Sequence, residues 1–129
     1  MGKGGVIMEL KERMYVRIKN KVGYCVIGKI ENINDFREPM TKYCIDIQGN
    51  DFIFVPEEMI VKASNNIIDL IEVGDYVNGY KVVELNKKRI GFGISKISCH
   101  YCYFNDDKIE IKSILTKEQF ESIKYSLEG

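Results

Sequence analysis

Residues 99–102 read Cys-His-Tyr-Cys and hold the only histidine and two of the four cysteines in the chain. Thiolates and imidazoles are the ligands that zinc prefers, and a closely spaced thiol pair can also carry redox chemistry. A zinc knuckle needs a tight turn, usually with glycine after the second cysteine, but Tyr103 stands there. On a strand, Cys99 and Cys102 would point to opposite faces of the sheet. We therefore expect no metal at this pair, and we expect reduced cysteines buried on strands instead.

The other residue patterns in the chain are weak indications of catalysis. His100 has no nucleophile motif or partner at an informative spacing, so a catalytic triad is unsupported. The carboxylate pairs at 57–58 and 106–107 fall in predicted turns, where acidic residues commonly cap helices or occupy hairpins. Residues 91–93, Gly-Phe-Gly, lack the third glycine of a dinucleotide-binding loop and interrupt a strand pattern. An enzyme is the least supported class of protein, and we expect no cofactor.

The basic side chains are grouped, and aromatic residues lie close to them in the sequence. One basic group precedes residue 22, another spans 81–96, and an acidic stretch separates them. A solvated strand face would explain this pattern, but so would a cationic surface for phosphate groups. For a phosphate-bearing ligand, we expect arginine to pair with phosphate and tyrosine to stack on a base. The residues we assign to such a site are Arg89, Lys96, Tyr101, Tyr103 and Arg17.

The composition limits the classes of function that are open. The 129 residues carry 19 basic and 19 acidic side chains, so the formal net charge is zero. Neutrality argues against a broadly cationic nucleic-acid binder. The hydrophobic fraction of 45% is ordinary for a globular domain, and no apolar run is long enough to span a membrane. Residues 1–8 predict a flexible tail without a signal peptide, which favours a cytoplasmic location and reduced thiols.

The elements that must position these side chains are mostly strands, because apolar and polar residues alternate along most of the chain. The pattern predicts a mainly β protein, built as two tandem antiparallel units that are either barrel-like or sheets, with one C-terminal helix. The predicted strands are 14–19, 24–30, 43–48, 52–55, 60–62, 77–85, 89–95, 97–104 and 109–114, and Asn78-Gly79 interrupts the one at 77–85. Turns are expected at 20–23, 49–51, 86–88 and 105–108, a loop at 32–39, and a helical turn at 56–59.

The two units are predicted over residues 9–66 and 67–129, either as separate units or around one shared core. Gly-Tyr-Cys-Val at 23–26 recurs as Gly-Tyr-Lys-Val at 79–82, each followed by a strand and a hairpin. Duplication of a small β unit would explain this repeat, and coincidence in a β-rich sequence would explain it equally well. In the C-terminal helix, Thr116 and Gln119 have the spacing of a capping box, and Phe120 begins its apolar stripe.

Two segments, 66–82 and 111–122, resemble small, uncharacterised, β-rich proteins encoded by phages and prophages of low-GC Gram-positive bacteria. They read Asn-Ile-Ile-Asp-Leu-Ile-Glu-Val-Gly-Asp-Tyr-Val-Asn-Gly-Tyr-Lys-Val and Ile-Lys-Ser-Ile-Leu-Thr-Lys-Glu-Gln-Phe-Glu-Ser. The resemblance covers mainly residues 66–122. It implies a mobile genetic element and a cytoplasmic accessory role in the infected host. It supplies no catalytic residues.

These observations predict a non-enzymatic phage accessory protein that inhibits a bacterial antiviral defence system. Two mechanisms fit equally well: occlusion of a defence protein, or sequestration of a small nucleotide signal in a pocket at an interface between copies. A small β-barrel nucleic-acid-binding module is an alternative, since such barrels often bind single strands. A virion or assembly component is another.

Overall fold

The computed structural model describes residues 9–47, 51–94, 99–104 and 109–128, and within them the chain is mainly β. It has ten strands in two antiparallel sheets and one C-terminal helix, which confirms the predicted fold class. The chain divides into two compact units. The first comprises the described residues up to Asn20 together with Ile27–Leu70, and the second comprises Lys21–Val26 and the described residues from Ile71 onward.

The first unit contains a five-stranded sheet in the order β4-β3-β2-β1-β5. Its strands are β1 (Tyr15–Lys19), β2 (Cys25–Ile33), β3 (Tyr43–Asp46), β4 (Phe52–Val55) and β5 (Ile60–Ser64). The first two residues of β2, Cys25 and Val26, belong to the second unit. Short 3₁₀ helices at Pro39–Thr41, Glu57–Met59 and Ile67–Leu70 connect or follow them. Buried apolar side chains come from every strand: Val16, Ile18, Ile30, Tyr43, Ile45, Val55 and Ile60. The helical turn predicted before β5 is confirmed, while the loop predicted at 32–39 begins later because β2 continues to Ile33.

The second unit repeats this arrangement, with a five-stranded sheet in the order β10-β6-β7-β8-β9. Its strands are β6 (Tyr76–Val77), β7 (Tyr80–Leu85), β8 (Arg89–Gly93), β9 (Cys99–Tyr103) and β10 (Ile114–Leu115). In each unit four consecutive strands form a meander, and the fifth returns beside the first. Neither sheet closes within the described residues, so the units are open sheets rather than barrels.

The repeated tetrapeptide falls at the same place in both sheets, which is the turn between the first and second strands. Gly23 and Gly79 both have positive φ angles, +94° and +89°, that favour glycine. The repeat therefore coincides with a repeated structural feature, as duplication of one unit would produce. The turn predicted at 49–51 has only Asp51 among the described residues, and the turn at 105–108 and the tail at 1–8 lie outside them.

Helix α1 (Lys117–Glu128) follows β10 and begins as the sequence predicts. The Thr116 hydroxyl accepts a hydrogen bond from the Gln119 N–H at 3.1 Å, and the Gln119 carboxamide accepts one from the Thr116 N–H at 3.0 Å. This reciprocal pair confirms the capping box. The Phe120 ring stacks on Tyr76 of β6 with their centroids 4.2 Å apart, which fixes the start of the helix against the sheet.

The strand predicted at 109–114 is wrong for most of its length, since only Ile114 and Leu115 pair with β6. In the rest of the segment, the side chain of Asn78 makes hydrogen bonds to the backbone in place of a neighbouring strand. Its Oδ1 accepts hydrogen bonds from the N–H groups of Lys112 and Ser113 at 2.7 and 3.1 Å, and its Nδ2 donates to the Glu110 carbonyl at 2.8 Å. Residues 110, 112 and 113 thus have backbone hydrogen bonds to Asn78 without forming a strand.

Candidate functional site

Three of the five residues assigned to a ligand site lie together on one face of the second sheet. In the register of β8 and β9, Arg89 stands opposite Tyr103, and Gly91 stands opposite Tyr101. Residues two apart on a strand share a face, so Arg89 and both tyrosines lie on the same side. We call Arg89, Tyr101 and Tyr103 the arginine–tyrosine cluster.

Arg89 is held by contacts on both neighbouring strands. Its Nε lies 2.8 Å from Oε2 of Glu84 on β7, and its Nη1 donates to the Tyr103 hydroxyl at 3.0 Å. Its guanidinium carbon lies 4.0 Å from the centroid of the Tyr101 ring, a cation–π contact. The hydrogen bond to Glu84, and then that to Tyr103, raises the pKa of Arg89. The guanidinium is therefore a fixed positive charge beside the two tyrosines, at the start of β8.

The Tyr101 hydroxyl remains protonated on this face. The electrostatic interaction with Cys99 raises the pKa of Tyr101, and Glu84 and partial burial act in the same direction, while Arg89 opposes them. A protonated phenol keeps an O–H donor and an uncharged ring, which the Arg89 guanidinium contacts.

A tight turn connects β7 to β8 and presents two more cations, and it confirms the turn predicted at 86–88. The Asn86 carboxamide oxygen accepts hydrogen bonds from the N–H groups of Lys88 and Arg89, at 2.8 and 3.0 Å. Asparagine favours such turns because its side chain bonds to the backbone two residues later. Lys87 and Lys88 are consequently exposed at the end of the hairpin.

A cavity of about 490 Å³ lies between this turn and the arginine–tyrosine cluster. It is lined by Asn86, Lys87, Lys88, Arg89 and Tyr103. We call it the hairpin groove. Its volume is within the range of small-ligand sites, and three of its five lining side chains are basic. Sequence reasoning did not assign Lys87 and Lys88 to the site, although the Asn-Lys-Lys-Arg run before a strand was the available signal.

Of the assigned residues that the structure describes, only Arg89 and Tyr103 line this groove. Arg17 belongs to the first unit, where it is buried with only 4% of its surface exposed. Its Nη1 donates to the Leu70 carbonyl at 3.0 Å. A register shift between Arg17 and Ile18 accompanies this inward orientation, which simple alternation does not predict. Lys96 lies outside the described residues.

Cys99 and Cys102 lie on opposite faces of β9, as a strand requires, with Cys99 opposite Gly93 and Cys102 opposite Ile90. Among the described residues no group of three or more His, Cys, Asp or Glu side chains is arranged to hold a metal ion. Cys25 is buried, but Cys99 is exposed, so the expectation of buried cysteines is wrong there. The reason is that β9 is the end strand of its sheet and Cys99 lies on the open face.

The remaining candidate groups are His100 and the carboxylate pairs at 57–58 and 106–107. His100 lines a smaller, mostly apolar cavity of about 230 Å³ with Tyr80, Phe92 and Ile94, on the opposite face from Arg89. Glu57 accepts a hydrogen bond from the Tyr43 hydroxyl at 3.2 Å, which ties a 3₁₀ turn to β3. The carboxylates at 106–107 lie outside the described residues.

Comparison with protein families, curated proteins and solved structures finds no match to this chain. Within the described part of the chain, no helix has the length and apolar character needed to cross a membrane.

Proposed function

We propose that this chain is a non-enzymatic phage or prophage accessory protein that inhibits bacterial antiviral defence by sequestering a small nucleotide signal in the hairpin groove. The observation that carries the proposal is the juxtaposition of three basic side chains and Tyr103 around a cavity of small-ligand size. Cations supply phosphate binding, and an aromatic ring supplies a surface for a base. The phage context comes from the sequence resemblance.

The contacts of Arg89 indicate separate roles in ligand binding for the residues of the groove. Two of its donors already point at Glu84 and Tyr103, so its main role is to hold the tyrosine rings in place. Lys87 and Lys88 are exposed at the turn, and their ammonium groups are the first contacts for phosphate. Tyr103 then stacks on the base.

The charge distribution favours a small anion over a long nucleic acid. The chain as a whole is neutral, and the three basic residues at 87–89 are a local excess. Binding to a long polyanion depends on many phosphate contacts, whereas a nucleotide needs only a few. A nucleic-acid-binding module would instead show retarded single-stranded DNA and a steep dependence of binding on salt.

Calorimetry tests the proposal with a panel of mononucleotides, cyclic dinucleotides and short cyclic oligonucleotides. We expect one class to bind stoichiometrically and to be recovered chemically unchanged after the protein is denatured. The double variant Lys87→Glu/Lys88→Glu should lose at least about tenfold in affinity, since two phosphate contacts become repulsive. The matched control is Lys112→Glu, an exposed lysine of the same unit that does not line the groove.

Three outcomes would contradict the proposal. No member of the panel binds, the ligand is recovered as a reaction product, or the Lys112 variant is weakened as much as the groove variant. Recovery of a reaction product would show that the protein is an enzyme. Equal weakening by the Lys112 variant would show that the loss of affinity comes from overall charge and not from the groove.

A further inference from the structure

The first unit repeats the turn that forms the hairpin groove. Asn34 follows β2 directly, as Asn86 follows β7, and an arginine comes three residues later in both, Arg37 and Arg89. The Asn34 carboxamide oxygen accepts a hydrogen bond from the Phe36 N–H at 2.9 Å, just as Asn86 accepts one from Lys88. The same asparagine turn thus leaves the second strand of each sheet.

The arginine after each turn also stacks on an aromatic ring of the fourth strand. The guanidinium carbon of Arg37 lies 4.5 Å from the centroid of Phe54 on β4, and that of Arg89 lies 4.0 Å from Tyr101 on β9. The two contacts are similar but not equivalent, because Arg89 is the first residue of β8, whereas Arg37 lies in the longer connection between β2 and β3. The first unit therefore has its own surface where a turn after the second strand meets the fourth strand.

The chemistry of the two surfaces differs. Asp35 and Phe36 stand in the first turn where Lys87 and Lys88 stand in the second. The first surface has four large apolar side chains that are at least 45% exposed, and Phe36 is 100% exposed. We call these residues the β4 surface: Phe36, Met40, Phe52 and Phe54. The 3₁₀ helix Pro39–Thr41, which holds Met40, packs against β4.

The charge around the β4 surface is negative, which disfavours phosphate. Residues 34–47 and 51–58 hold six acidic side chains against two basic ones. The acidic residues are Asp35, Glu38, Asp46, Asp51, Glu57 and Glu58, and the basic residues are Arg37 and Lys42. Lys42 is already paired with Asp35 at 3.1 Å. Oδ1 of Asp46 is buried and has no hydrogen-bond partner among the described residues, so added positive charge nearby would stabilise it.

β4 is an end strand of its sheet, bonded to β3 on one side only within the described residues. An end strand presents backbone N–H and C=O groups to which an extended segment of another chain can add. Apolar side chains that alternate with cations on such a segment would match the exposed phenylalanines and the acidic surroundings. Exposed aromatic residues in a group are typical of protein interfaces rather than of free surface.

We propose that the β4 surface docks an extended, apolar and basic segment of a different protein along the edge of β4. The two units then have different ligands: the second unit binds phosphate, and the first binds protein. Occlusion of a defence protein and sequestration of a nucleotide are then separate activities of separate units. The docking proposal does not depend on nucleotide binding, because the residues concerned are different.

Two fluorescent peptides of about ten residues test it, one alternating valine with lysine and the other alternating valine with glutamate. Fluorescence anisotropy should show binding of the lysine peptide, with the glutamate peptide at least about tenfold weaker. Phe36→Ala/Phe54→Ala should weaken the lysine peptide by at least about tenfold, as loss of central aromatic contacts does. Both residues are exposed, so the variant should fold normally.

Two control variants separate this surface from the rest of the molecule. Val61→Ser removes an exposed apolar residue, 50% exposed, from β5 at the opposite edge of the same sheet. Lys87→Glu/Lys88→Glu alters only the hairpin groove. Neither should weaken the lysine peptide.

Equal binding of the two peptides would overturn the proposal, and so would unchanged binding by the phenylalanine variant. Sedimentation that shows self-association, abolished by Phe36→Ala/Phe54→Ala, would assign the surface to a second copy of this chain and would also overturn it. Failure of nucleotide binding alone would leave the peptide results unaffected.

Discussion

The ring of Tyr101 lies directly against Gly91 on the neighbouring strand, at a distance that leaves no room for a side chain there. A Cβ atom at Gly91 would stand 2.8 Å from Cε1 and 3.0 Å from Cδ1 of the Tyr101 ring, and 3.2 Å from Cβ of Glu84. Real Cβ contacts are longer, so the ring would have to move. The glycine thus lets the ring approach the neighbouring strand closely, while the Arg89 guanidinium carbon lies 4.0 Å from the ring centroid.

Gly91→Ala is therefore expected to lower the free energy of unfolding by about 1–3 kcal/mol, the usual range for overpacking. It should also displace Tyr101 and weaken its contact with Arg89. Urea unfolding measures the change in stability. The double variant Gly91→Ala/Tyr101→Ala should lose less free energy of unfolding than the two single variants lose together, because the ring that the new methyl group displaces is then absent.

Gly93 provides the control for this substitution on the same strand. A Cβ there would meet Cγ1 of Val83 at 3.2 Å and otherwise only the Lys81 carbonyl oxygen at 3.9 Å. We expect Gly93→Ala to change stability less than Gly91→Ala. Equal or smaller destabilisation by the change at Gly91 would show that the Tyr101 ring moves away without cost.

Thr116 connects the start of the helix to the rest of the second unit through a buried hydroxyl. Its Oγ1 donates to the Cys25 carbonyl at 2.6 Å and accepts from the Gln119 N–H at 3.1 Å. Thr116→Val keeps the shape but loses both hydrogen bonds, so the free energy of unfolding should fall by about 1–3 kcal/mol. Thr116→Ser retains the hydroxyl and should cost less. Urea denaturation curves in which the serine variant is the less stable of the two would contradict this account.

Alternation of apolar and polar residues was enough to predict most of the fold. The bounds of β4 were predicted correctly because Pro56 marks its end and a polar turn precedes it. The prediction failed at 109–113, where Asn78 takes the backbone hydrogen bonds that a strand would have used. This contact joins residues more than thirty positions apart, and no local pattern contains it.

The candidate site was predictable to a similar extent. Alternation placed Tyr101 and Tyr103 on one face, but their pairing with Arg89 depends on the register of two strands, which alternation alone does not fix. Arg17 was predicted to be available for a ligand. Its side chain is instead buried and donates a hydrogen bond to the carbonyl of Leu70, 53 positions further along the chain. Burial of a charged residue is set by tertiary packing, so a basic cluster in the sequence does not show which members reach the surface.

Glu84 partly neutralises the hairpin groove, because its carboxylate lies 2.8 Å from Nε of Arg89. Glu84→Gln removes a negative charge and keeps a hydrogen-bond acceptor for the guanidinium. We expect inorganic pyrophosphate, a probe without a base, to bind about two- to fivefold more tightly to this variant, the effect of an exposed ion pair. Calorimetry at low salt measures the affinity. The control Glu110→Gln changes an exposed carboxylate that does not line the groove, and it should have no effect.

A lower affinity in Glu84→Gln would contradict that expectation. It would mean that Arg89 must be held by the full charge of Glu84 in order to keep Tyr103 in position. An equal gain in the Glu110 variant would attribute the effect to net charge instead of to the groove.

The cysteines should differ in their reaction with iodoacetamide, since Cys99 is exposed and Cys44 is partly buried. Burial, followed by the charge of Glu31, raises the pKa of the Cys44 thiol, and Arg37 opposes them. A raised pKa leaves less of the reactive thiolate at a given pH. Cys99 should therefore be alkylated first, and the rate at Cys44 should rise with a midpoint above the ordinary thiol value of about 8.5. Peptide mass spectrometry across a pH series follows both sites. In urea the Cys44 midpoint should return to the ordinary value, and a folded-state midpoint at or below that value would contradict the buried environment of this thiol.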